Sequence, residues 1–189
     1  MFRPFITVAA SLMLTFSSFA QSPQDNPRVF LDNLAQHCGN AYVGRITSTP
    51  APADFDGKEL IMHVISCEEG QVKIPFYVGD DLSRTWIFTL KDNRIELKHD
   101  HRLEDGTPDR ETFYGGTTNN TGFADFQVFP ADQETTDLIP TAASNVWWVS
   151  ISDTSYTYNL KRIGRDGEFN VTFDLSNPIK TDKKPWGTK

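Results

Sequence analysis

The sequence predicts an all-β fold: an antiparallel up-and-down meander β-barrel of about 8–10 strands with a short N-terminal helix. Three observations predict it. Apolar and polar residues alternate at period two in about ten separate runs between residues 42 and 175. Short segments of turn chemistry separate the runs, many of them short enough for hairpins. A meander of that length with one apolar and one wetted face must bury the first and hide its edges, and closure into a barrel does both. A two-sheet β-sandwich is the alternative.

The chain opens "MFRPFITVAASLMLTFSSFAQSPQ". One early cation, Arg3, precedes an apolar run from Phe5 to Phe16, and small residues stand at Ser18 and Ala20. That order is a secretory leader, residues 1–20, with cleavage after Ala20. The apolar run is shorter than the roughly 20 residues of a spanning helix. The 189-residue chain less its first 20 leaves 169, the size of one domain. A single barrel domain is expected over 21–178, with a C-terminal tail, 179–189, acting as a strap or left partly disordered. A periplasmic or secreted location and no membrane span follow from this reading.

"NPRVFLDNLAQHCG" reads as a helix over about 27–38. Asn26 is expected to cap it, Pro27 fits the first helical position, and Gly39 ends it. Phe30, Leu31 and Leu34 form its apolar face.

The expected strands are Tyr42–Ser48, Lys58–Glu68, Gln71–Val78, Thr85–Lys91, Arg94–Leu103, Glu111–Thr117, Phe123–Phe129, Asn145–Ser152, Ser155–Ile163 and Glu168–Leu175. Val72, Ile74, Phe76 and Val78 share one parity, as do Trp86, Phe88 and Leu90, and Phe169, Val171, Phe173 and Leu175. Pro130–Ser144 is expected to be irregular.

Charge and cysteine content narrow the function classes. The formal charge is −7, and removing Arg3 with the leader takes it to −8. Phosphate backbones are bound by Lys and Arg, so a nucleic-acid partner is not expected. Cys38 and Cys67 are the only cysteines. In an exported chain they are expected to form one disulfide, closing a loop of about 30 residues.

The chemistry-bearing candidates lie on faces that should be apolar. In "RIELKHDHRLEDG", one parity carries Arg94, Glu96, Lys98, Asp100, Arg102 and Glu104. The other carries Ile95, Leu97, His99, His101 and Leu103. His99 and His101 therefore point inward together, about 6.5–7 Å apart along the strand. Two imidazoles so placed, with His63 from "LIMHVISC", would suit a transition metal such as zinc. The same residues read first as hydrogen-bonded polar groups of a barrel core and next as contacts to an interior ligand, ahead of the metal site. Arg84 and Trp86 share a face, so the guanidinium is expected over the indole. The glycines of "YGGTTNNTG" read as a bulge or a close backbone approach. Trp147 and Trp148 fall on opposite faces, and whichever is exposed would offer a dimer contact. No G-x-S-x-G, H-E-x-x-H or reactive-cysteine context occurs, so no catalytic residue is assigned.

The segments "MHV…C" (Met62–Cys67), "RTW" (Arg84–Trp86), "KHDHR.EDG" (Lys98–Gly106), "YGGTT" (Tyr114–Thr118), "FPAD" (Phe129–Asp132) and "PW" (Pro185–Trp186) resemble those of a group of uncharacterised exported bacterial proteins. The resemblance implies a compartment and no mechanism. The architecture also looks like that of a lipocalin or calycin, but "CGNAYVGRI" lacks the Gly-x-Trp signature of that group.

The expected function is the binding of a small, partly apolar ligand in the barrel through His63, His99, His101, Arg84 and Trp86, without catalysis. A metal-binding protein or metal-dependent enzyme using His63, His99 and His101 is the second expectation. A structural or interaction module is the third.

Overall fold

The computed structural model describes residues 22–188. The expected leader and its cleavage point lie outside the described residues. A ten-residue helix, α1 (Asn26–Ala35), comes first. Eleven strands follow: β1 (Ala41–Ile46), β2 (Leu60–His63), β3 (Ser66–Glu68), β4 (Gln71–Val78), β5 (Asp81–Lys91), β6 (Arg94–His101), β7 (Tyr114–Thr117), β8 (Phe126–Pro130), β9 (Asn145–Ile151), β10 (Ser155–Arg162) and β11 (Glu168–Asp174). A short helix, α2 (Gln133–Leu138), lies between β8 and β9.

All pairings are antiparallel, in the order β7-β6-β5-β4-β2-β1-β11-β10-β9-β8, with β3 a branch on β4. The chain therefore starts in the middle of its own meander. β1 is flanked by β2 on one side and β11 on the other, and the two ends of the sheet are β7 and β8. The result is one nearly closed barrel-like sheet, and the sandwich is not formed.

The remaining seam between β7 and β8 has a definite chemistry. Pro130 has no N–H to offer a ladder. The Gly115 N–H is accepted by Thr135 Oγ1 at 2.6 Å, and the same hydroxyl donates to Gly115 O at 2.8 Å. Thr135 is fully buried and stands in α2, whose N-terminus is capped by Asp132. The two strands touch closely: a Cβ at Gly116 would lie 1.8 Å from Pro130 O. The paired glycines thus permit a backbone approach that any side chain would block. α2 was not visible as a periodic pattern, because six residues complete fewer than two turns.

Several boundaries differ from the sequence reading. Asn26 does not cap α1; its amide donates to Gly122 O at 2.7 Å and ties the helix to the β7–β8 loop. Lys58–Glu68 is two strands broken at Val64–Ile65. β5 begins at Asp81, so "GDDLS" is only partly turn.

Two layers of apolar packing result. Inside the barrel, Phe30, Leu31 and Leu34 of α1 join Val72, Ile74, Phe76, Phe88, Leu97, Val149 and Phe173 in one core. α1 closes that end, with Phe30 edge-on to Phe88 at 6.1 Å. The Cys38–Cys67 disulfide forms with a Cα–Cα separation of 6.1 Å and fastens the segment after α1 to β3. Outside, Ala41, Ile61 and Tyr77 are covered by the C-terminal segment through Ile179. That segment is a strap: Ile179 N–H donates to Ala41 O, Tyr77 Oη to Lys183 O, and Trp186 N–H to Leu82 O. No helix among the described residues is long and apolar enough to cross a membrane.

Candidate functional site

Each inward-facing row changes character along the barrel axis. β5 runs Phe88, Trp86, Arg84, and β6 runs Ile95, Leu97, His99, His101. β9 runs Ile151, Val149, Trp147, Asn145, and β10 runs Tyr156, Tyr158, Leu160, Arg162. In each row the residues near α1 pack the core, and polar groups arrive at the opposite end. That opposite end is open, and a cavity of about 710 Å³ descends from it. Its floor and walls include Phe76, Trp86, His99, Tyr114, Trp147 and Tyr158. Its rim is built from loops: Pro52–Phe55 after β1, Asp109 and Glu111 after β6, and Ile139–Ala142 before β9.

The aromatic rings are stacked rather than scattered. Trp86 lies between Phe76 (centroids 4.9 Å apart, planes at 18°) and Tyr158 (4.3 Å, 14°). His99 stacks on Tyr114 at 4.6 Å and 10°. Offset stacking of this kind adds about 0.5–1.5 kcal/mol per pair beyond area burial.

His99 is 3 % exposed, and its proton position follows from its partners. Nδ1 is 3.0 Å from Tyr114 O, a carbonyl that can only accept, so Nδ1 carries the hydrogen. Nε2 is then the acceptor of the Tyr158 hydroxyl at 2.6 Å. Burial pushes the His99 pKa down to about 3, so the ring stays neutral. Burial likewise raises Tyr158 well above the usual phenol value, which keeps the donating proton in place.

His101 is the next inward residue and reaches the cavity. Its Nε2 lies 3.1 Å from the Tyr114 hydroxyl. Burial, and then the nearby Arg84 cation, lower the His101 pKa, against opposing contributions from Asp109, Asp81 and Asp100. Burial pushes Tyr114 up to about 12. Arg84 stands directly across from His101 in the β5–β6 ladder. Its Nη1 donates to Asp81 Oδ2 at 2.5 Å, and its guanidinium lies 5.8 Å over the Phe55 ring. The expected Arg84–Trp86 stack does not form, because Trp86 is already faced by Phe76 and Tyr158.

Four of the five residues singled out from sequence therefore meet: His99, His101, Arg84 and Trp86 all line the cup. His63 does not join them. It shares the outer face with Ile61 and Ala41, its ring 6.5 Å from Tyr77, and burial followed by the Lys180 charge lowers its pKa. The three histidines consequently form no common site. Among the described residues no group of three or more His, Cys, Asp or Glu is placed to hold a metal ion. Both ring nitrogens of His99 are committed to hydrogen bonds. Trp147 is 1 % exposed and faces the cup, so of the two tryptophans only the half-buried Trp148 faces outward.

Tyr114 and Tyr158, which fix the histidines, were missed in sequence. Their signal was parity: Tyr156, Tyr158 and Leu160 continue one face of β10. No protein-family model matches the chain, and no curated protein matches it either.

Proposed function

We propose that this chain is an exported binding protein that holds a small, partly apolar molecule in the open cup of its barrel, without catalysis. One observation carries the reading: a cavity of about 710 Å³ opens at one end of the barrel, lined in comparable measure by apolar groups and by polar ones, Arg84, His101 and Arg162 among them. Ligand sites are commonly concave and of about 300–1,000 Å³, and this cavity has that size and shape. The closed α1 end leaves the opposite mouth as the entrance. Export is supported by the disulfide and by the leader pattern of residues 1–20. The resemblance to exported bacterial proteins agrees with it.

The test uses the two tryptophans in the cup wall. A library of small ring compounds is screened by tryptophan emission and thermal shift on the wild type and on Thr141→Trp. Thr141 is an exposed rim residue, so the larger ring should fill the mouth without disturbing the core. Ligands that shift wild-type emission and fail on Thr141→Trp support the cup. Binding that survives the substitution places the ligand elsewhere and removes the proposal. Export is checked by N-terminal sequencing of the full chain after expression with a secretion pathway: the product should begin at Gln21.

A further inference from the structure

The cup has one polar corner, and the chemistry of that corner selects a ligand class. Arg84 on β5, His101 on β6 and Tyr114 on β7 come from three successive strands and line the same side of the cavity. Trp86 lies one step deeper in the same β5 row as Arg84, while the apolar lining left half-buried beside that corner is Phe55, Leu160 and Phe169.

Arg84 is the cation set furthest below the rim, its side chain 25 % exposed. Arg162, the other lining cation, is exposed and occupied with Asn145 Oδ1 at 3.1 Å. The rim acids Asp54 and Glu111 are exposed, so water and salt screen them, while the half-buried Asp109 faces the same corner and opposes the lowering of the His101 pKa. Asp81 fixes Arg84 from one end, and Asp81 Oδ1 is itself held by the Ser83 N–H at 3.0 Å. A guanidinium has five N–H donors, and one of Arg84's is used by Asp81.

A molecule entering the cup takes water away from the remaining donors. That costs free energy unless the molecule supplies acceptors. Neither partner in the corner replaces them: His101 donates or accepts with Tyr114, and both remain neutral. A planar acceptor edge of two oxygens matches the guanidinium fork. A cationic head group would instead be set against Arg84.

We propose that the cup takes planar aromatic carboxylates, with the carboxylate on Arg84 and the ring against the half-buried Phe55 and Phe169 beside it. This rests on the binding-cup reading above, and the experiment separates the two. Benzoate, 2-naphthoate and anthracene-9-carboxylate are each titrated against the matching primary amide by calorimetry. The proteins are the wild type, Arg84→Gln and Arg84→Lys.

The wild type should prefer at least one acid to its amide by tenfold or more. The preference should fall to about one in Arg84→Gln and to an intermediate value in Arg84→Lys, which keeps the charge and loses the fork. Should Arg84→Gln fail to fold, the lysine variant decides, because it retains the ion pair with Asp81. Acids and amides that bind equally, or a preference that survives both substitutions, overturn the Arg84 assignment and leave the cup standing. If no acid and no amide binds the wild type, the aromatic-carboxylate assignment falls, and the compound screen on wild type and Thr141→Trp decides the cup.

Discussion

The two ends of this barrel are made by the same strands and behave as different materials. At the α1 end, inward positions are Phe88, Leu97, Val149 and Phe173, all fully buried and part of one core with Phe30. At the open end, beyond Trp86, His99 and Trp147, the residues of equal parity are Arg84, His101 and Asn145, with Arg162 on β10. Period two fixes which face a residue occupies, but the position along the strand decides whether that face is core or cup. The difference teaches that stability and recognition are separable here by axial height, and substitutions at the two heights should separate them.

The largest effect is expected at the closed end. Phe30→Ala leaves a cavity beneath α1 and should cost about 3–5 kcal/mol. Thr141→Trp at the open rim should stay within about 0.5 kcal/mol of wild type, as exposed substitutions do. Urea unfolding of both variants checks the contrast, and equal losses would erase it. Next in size is the disulfide, which serves the closed end only. Cys38→Ser with Cys67→Ser should lower stability by about 2–4 kcal/mol. Ligand-induced quenching of Trp86 and Trp147 should persist below the new midpoint.

The same contrast explains what could be read from sequence. Parity is local, so it placed His99 and His101 together on one inner face and Arg84 with Trp86 on another strand's inner face. It misplaced His63 because β2 is apolar on both sides: Leu60 and Met62 face the core, while Ile61 and His63 lie on the face covered by the strap. Where both faces are covered, alternation carries no information. The rim groups Phe55, Asp109 and Thr141 come from three loops distant in sequence, and no local pattern joins them. The ring pairs Trp86–Tyr158 and His99–Tyr158 depend on β5, β6 and β10 facing one another across the barrel, which only closure supplies.

A third effect probes the boundary between the ends, where His99 sits. Its folded pKa, about 3, lies below the ordinary value of 6.5. Between those values the unfolded chain binds a proton that the folded one refuses, so stability falls as pH drops from about 6.5 toward 3. A single such group contributes at most about 1.4 kcal/mol per pH unit. His99→Gln should flatten the slope of unfolding free energy between pH 6 and pH 4. Part of the slope should remain, because burial also depresses His37, His63 and His101. An unchanged slope would mean that His99 is protonated in the folded state and that the Tyr158–His99–Tyr114 arrangement is not what fills that layer.

The smallest effect tests the one place where the wall is not a ladder. Lys98 sits on the outer face of β6, with its side chain 13 % exposed. It donates to Asp132 at 2.7 Å and to Glu134 at 2.9 Å, bridging the β7–β8 seam to α2. Those carboxylates outweigh the burial that disfavours the ammonium, so the Lys98 pKa rises and the charge is retained. Lys91 pairs with Glu96 on the same face, but its side chain is 60 % exposed and holds nothing across a gap. Exposed pairs contribute about 0–1 kcal/mol and are screened by salt, so Lys91→Ala should be close to neutral. Lys98→Ala should cost about 1 kcal/mol, because it removes two partners from a partly buried site and leaves Asp132 to cap α2 alone. Hydrogen exchange gives the sharper readout. In Lys98→Ala the Gly115 amide, held by Thr135, should exchange faster, while amides of the β4–β5 ladder keep their protection. Equal exchange at Gly115 in both proteins would show that Thr135 and the close approach of Gly116 to Pro130 hold the seam without the ion pair.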